Sequence, residues 1–178
     1  APAQLSLGPT PSERRNMGAA AAAIRKITEL WALAGGILLL AVVLVNAVSL
    51  CGRIFLNQPV PGDFEVVEIG VAVAVFAFLP YCQITGANVT ADIFTSGAGP
   101  RTLSALSVLA SVIAFAFSTL LLRQMWLGLL DFRTYREVTT VYEFPVWIAF
   151  VPILISLFLL TLACLLTLID ALRGKPAA

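Results

Sequence analysis

The chain contains no histidine, which removes the commonest metal ligand and the commonest general base. Cysteine is scarce: Cys51, Cys82 and Cys164 form no CxxC pair. Cys51 and Cys82 close two consecutive apolar runs, so an antiparallel helix pair puts them on opposite membrane faces, beyond disulfide reach. Unpaired thiols acting as small apolar fillers are expected. Charge is the third shortage, at 12% of residues against about 25% in a soluble domain. There is no nucleophile–base pair, glycine-rich phosphate loop or basic nucleic-acid patch. No enzyme activity, metal, cofactor or nucleic-acid partner is therefore expected. A membrane-bound quinone-linked thiol oxidoreductase is excluded on the same ground, because it needs paired cysteines.

In their place the sequence is 60% hydrophobic, with a mean hydropathy of +0.96. An apolar run of about 18–20 residues crosses a bilayer as a helix. Four runs qualify, at Ile27–Leu50, Phe64–Tyr81, Thr102–Leu122 and Pro145–Ile169. None alternates as a β-barrel strand must. The expected fold is an all-α polytopic membrane protein with four transmembrane helices in one domain over 27–172. A cytoplasmic segment, 1–26, precedes it and a short tail, 173–178, follows. The first run is too long for a signal-peptide core and lacks a small-x-small cleavage site, so it is read as a retained span.

Lys and Arg distribute as Arg14, Arg15, Arg25, Lys26, Arg101, Arg173 and Lys175 on one side, and Arg53, Arg123, Arg133 and Arg136 on the other. The positive-inside rule places the first group, and both termini, in the cytoplasm.

Asn46, Ser49 and Arg53 share one face near the end of span one. Arg53 either snorkels to the headgroups or pairs with Glu65 and Glu68, which lie on one face of span two. Asp63 suits the cap of span two, and Pro80 is expected to kink or end that span. The polar stretch 81–92 divides the chain into two halves. Gly86 there permits a left-handed turn, while Asn88, Thr90 and Asp92 offer side-chain caps. Span three carries Ser104, Ser107, Ser111, Ala114 and Ser118 at intervals of 3, 4, 3 and 4, a seam of small residues for close helix packing. The partner is either another span of this chain or another subunit. Beyond Leu122 the pattern becomes amphipathic, which suits a helix lying in the interface or a projection of span three past the membrane. Pro145 opens span four, Trp147 sits at belt depth, and Pro152 kinks the helix.

In its motifs and their order the chain resembles the small membrane subunit, the DctQ or Q type, of tripartite ATP-independent periplasmic (TRAP) transporters. The resemblance rests on Arg53-Ile-Phe55, Pro61-Gly-Asp-Phe-Glu65 with Glu68, Gly86-Ala-Asn-Val-Thr-Ala-Asp92, and Glu143-Phe-Pro-Val-Trp147 with Pro152. Asn88 departs from the pattern, since many members carry a histidine there. The resemblance implies an accessory subunit in the bacterial inner membrane, bound to a large multi-span transport subunit and bathed in membrane lipid. A periplasmic binding protein would deliver an organic acid, a dicarboxylate or sugar acid, for sodium-driven import. Residues implied for docking that protein are Arg53, Asp63, Glu65, Arg133, Arg136 and Glu143. The competing readings are a self-sufficient oligomeric transporter or channel and the small subunit of a tripartite tricarboxylate transporter.

Overall fold

The computed structural model describes residues 11–57, 61–86 and 100–172, with the side chains of 11–20, 56 and 100–105 excepted. The described residues form helices α1 (Pro11–Leu56), α2 (Asp63–Ile84), α3 (Pro100–Tyr135) and α4 (Trp147–Leu172). Each is long and apolar enough to cross a membrane, and the protein is an all-α polytopic membrane protein. At 46 and 36 residues, α1 and α3 are roughly 70 and 54 Å long, well beyond the roughly 30 Å hydrocarbon layer. Both therefore project. The amphipathic stretch after Leu122 is the last part of α3, so of the two arrangements open to it the continuous helix is the one formed.

Helix α4 is the centre of the assembly. It packs against α2 and α3 and touches α1, whereas α3 has α4 as its principal neighbour. Composition explains this position. The α4 sequence is apolar around its whole circumference, which suits a helix surrounded by others. Leu157 and Ala163 are fully buried, with Ile153, Leu154, Leu159 and Cys164 close behind. Elsewhere, large apolar side chains such as Ile37, Leu40, Ile113 and Leu120 face outward, as lipid or protein surroundings permit.

Small residues set the α1–α2 distance. A Cβ added to Gly35 would stand 2.7 Å from that of Ala77, and one added to Gly70 would overlap Val42. Ala32, Gly35 and Val42 of α1 thus meet Gly70, Ala74 and Ala77 of α2 in a close antiparallel seam. Lipid supplies no hydrophobic drive, so close van der Waals contact between backbones does the work. The two helices end differently from expectation. The cap of α2 is Gly62, in the left-handed region at φ 74°, and Asp63 follows it as the first helical residue. Pro80 does not end α2. It is buried inside the helix, which runs on to Ile84 and closes through Thr85 N–H to Tyr81 carbonyl at 3.0 Å. Packing around the proline supports the turn that its missing N–H weakens.

Polar side chains fasten the helices at a few points. The Trp31 indole donates to Ser156 Oγ at 2.8 Å, and Ser156 donates on to the Pro152 carbonyl at 2.8 Å. Trp31 is thus a cross-link from α1 to α4. Gln83 Nε2 donates to Thr167 Oγ1 at 3.3 Å, joining α2 to α4.

Candidate functional site

One end of the bundle gathers the last turns of α1, the start of α2, the end of α3 and the start of α4. We call it the distal end. Its core is the segment 136–146 between α3 and α4. Val138 and Pro145 form an isolated antiparallel bridge, Thr139 N–H donates to the Phe144 carbonyl at 2.9 Å, and Val146 N–H donates to the Glu137 carbonyl at 3.1 Å. Two non-glycine residues, Arg136 (φ 52°) and Glu143 (φ 51°), take left-handed backbone to turn the corners. Such residues cost energy unless surrounding structure holds them. Pro145 precedes α4, which starts at Trp147.

That surrounding structure comes from α2. Both carboxylate oxygens of Glu65 are occupied by this hairpin: Oε1 accepts from Val141 N–H at 2.7 Å and Oε2 from Tyr142 N–H at 3.2 Å. Thr140 N–H and the Thr139 hydroxyl lie close by. Thr139 Oγ1 also accepts from Phe144 N–H at 3.1 Å. Tyr142 closes over the α1–α2 turn, its hydroxyl donating to the Pro61 carbonyl at 2.7 Å and its ring lying on Gly62. A side chain at Gly62 would collide with that ring, so glycine serves both the positive φ and the close approach. On the other side, Phe132 of α3 packs against Phe150 of α4 with centroids 4.9 Å apart.

Arg53, in the exposed last turn of α1, lies close enough to act electrostatically on Asp63. Asp63 also accepts from the buried Ser49 hydroxyl and from Phe64 N–H at 2.8 Å. Spacing alone offered Arg53 to Glu65 and Glu68. Instead Glu65 is taken up by the hairpin and Glu68 is exposed. Among the described residues, Ser49–Asp63 is a polar link between the first two helices, with the Arg53 charge nearby.

Of the serine seam, Ser107, Ser111 and Ala114 are half-buried and Ser118 is buried, its hydroxyl donating to the Phe115 carbonyl at 3.0 Å and lying beside the Cys164 thiol of α4. At Ser118, then, the seam meets α4 of the same chain. The Ser104 side chain lies outside the described residues, as do Asn88, Thr90 and Asp92. Gly86 adopts the left-handed backbone expected of it, at φ 65°. Pro152 sits in the second turn of α4, where its carbonyl receives Ser156. The cysteines are free: Cys51 is exposed, Cys82 half-buried and Cys164 buried.

Arg133, Arg136, Val138, Pro145 and Trp147 line a shallow pocket of about 400 Å³ at the distal end. Both arginines are exposed, so it is open and cationic, with an aromatic wall. Among the described residues no group of His, Cys, Asp and Glu could hold a metal ion. What the arrangement presents is a hydrogen-bonded, polar surface for contact. The sequence did not reveal the α1–α2 glycine–alanine seam or the Glu65 cradle. Regular spacing of Gly70, Ala74 and Ala77 was the available signal for the seam, whereas nothing local marked a carboxylate whose partners lie 76 and 77 residues away.

Comparison with known proteins gives one positive result. A family model described as "Tripartite ATP-independent periplasmic transporters, DctQ component" matches residues 39–174. No curated protein and no solved structure matches.

Proposed function

The chain belongs to the DctQ component of the tripartite ATP-independent periplasmic transporters, and on that basis we propose that it braces a large transport subunit and offers docking surface to a periplasmic binding protein. As a small membrane subunit it has both as its partners. Its place is the bacterial inner membrane, with both termini in the cytoplasm and the distal end in the periplasm. The transported species is an organic acid, a dicarboxylate or sugar acid, and the sodium gradient drives its import through the large subunit.

The observation that carries this reading is the contrast between the two surfaces of the protein. The membrane-facing sides of α1 and α3 are apolar and open to a partner, whereas the distal end is a hydrogen-bonded cap with exposed charges. A hydrogen-bonded cap that ties together one end of a helix bundle suits bracing and docking. A transporter working alone needs broken helices around a mid-membrane site. Here α1 and α3 are continuous.

Co-expression of the chain with its native neighbours, followed by mild-detergent pull-down and mass spectrometry, tests the proposal. A stoichiometric multi-span partner is expected. A chain that purifies alone as a homo-oligomer and supports uptake in vesicles overturns it.

A further inference from the structure

We propose that the pocket between Arg133 and Arg136 receives an acidic side chain of the periplasmic binding protein, whose carboxylate is held by the two guanidinium groups beside Trp147. The inference rests on the docking role proposed above and assigns it a chemistry and a place.

Three observations lead there. First, the two arginines line one pocket of about 400 Å³ with Val138, Pro145 and Trp147. A guanidinium fork matches a carboxylate in two parallel hydrogen bonds, and two forks surround it. Secondly, the charges are available. Arg133 and Arg136 are exposed, and among the described residues neither forms an ion pair, although Glu137 and Glu143 belong to the same hairpin. Thirdly, the pocket is held in advance. Arg136 is fixed in left-handed backbone, the Val138–Pro145 bridge closes the hairpin, and Glu65 and Tyr142 tie it to α2. Ordering costs at association are correspondingly small.

The charge pattern selects the occupant. A single acidic side chain fills the space between two cations and leaves the rim to polar contacts. Such pairs act mainly on encounter rate and its salt dependence. Trp147 supplies an apolar wall that lowers local water and strengthens the pair.

The test uses the complete membrane complex in nanodiscs of zwitterionic lipid, with fluorescently labelled binding protein as the probe. The double variant Arg133→Glu/Arg136→Glu is expected to raise the half-saturating concentration by about tenfold or more and to flatten its salt dependence. The pair Arg133→Lys/Arg136→Lys keeps the charge without the fork and should fall between. Should the glutamate variant fail to copurify with the large subunit, Arg136→Cys is modified after assembly. A negatively charged thiol reagent is then expected to weaken binding and a positively charged one to restore it, with the parent chain treated alike to account for Cys51. Unchanged affinity and salt dependence in these variants overturns the proposal. If Glu143→Lys still shifts binding, docking at this end survives and only the pocket assignment falls. If no distal substitution shifts it, both fall. An effect seen only with anionic lipid in the disc assigns the arginines to headgroups and overturns the proposal too.

Discussion

Trp31 of α1 and Ser156 of α4 are 125 residues apart in sequence and share a 2.8 Å hydrogen bond, indole N–H to hydroxyl. The same serine donates to the Pro152 carbonyl. Proline at 152 has no N–H to give the carbonyl at 148, and Ser156 back-bonds one turn below. The bond therefore couples the first helix to the proline-containing turn of the central one. Trp31→Phe keeps most of the ring volume and removes the donor. A loss of about 0.6–1 kcal/mol is expected, in the range of interhelical hydrogen bonds in membranes. It would be measured as a lowered thermal midpoint of the detergent-solubilised protein, and an unchanged midpoint would show that the indole serves only as an aromatic anchor.

The glycine–alanine seam makes a larger prediction. Gly70 has no room for a Cβ beside Val42, so Gly70→Leu forces α1 and α2 apart. Overpacking of this kind costs about 1–3 kcal/mol. The companion Gly70→Ala/Val42→Ala removes the obstruction and should recover much of the loss. Thermal unfolding of the three variants checks this. If Gly70→Leu were as stable as the parent, the seam would not set the helix spacing.

Within the serine seam the positions should differ. Ser118 is buried against Cys164, whereas Ser111 is half-buried. Ser118→Leu is therefore expected to lower the thermal midpoint clearly, by the same overpacking magnitude of about 1–3 kcal/mol, and Ser111→Leu much less. A loss of copurification with the large subunit in Ser111→Leu, at unchanged stability, would place that part of the seam against the partner.

The gross fold is legible because its cause is compositional. Four apolar runs in a chain with 12% charge leave one arrangement open, and helix periodicity then exposes the serine seam. Small residues on α1 and α2 were less visible. Gly35 and Gly36 sit among alanines and leucines, and only the facing helix shows that Gly35 is the close approach. The distal end was the hardest to read. Arg136, Glu143 and Asn57 take positive φ without being glycine, and such backbone has no sequence signature. Glu65 could be placed on a helix face from spacing, but its partner is another segment's main chain. Short-range logic proposed Arg53, whereas long-range folding supplied Val141 and Tyr142.

The last prediction concerns that carboxylate. Glu65 accepts from two backbone N–H groups, 2.7 and 3.2 Å away, and its setting includes Thr140 N–H and the Thr139 hydroxyl. Glu65→Gln keeps one acceptor oxygen but turns an NH₂ group toward a backbone donor. Two donors then face each other, and the amide also lacks the charge that strengthens the remaining bonds. The hairpin should loosen while α1, α3 and α4 stay assembled, because their seams do not involve Glu65. Hydrogen exchange is the direct measurement. Amides at Thr140, Val141 and Tyr142 are expected to exchange faster in Glu65→Gln, with those of 150–164 unchanged. If the docking pocket depends on this latch, the variant should also weaken binding protein association without touching Arg133 or Arg136. Tyr142→Phe separates the two ties, since it removes only the 2.7 Å bond to the Pro61 carbonyl. It should release the α1–α2 turn and leave the Glu65 cradle protected. Equal exchange in all three proteins would show that the Val138–Pro145 bridge holds the hairpin by itself.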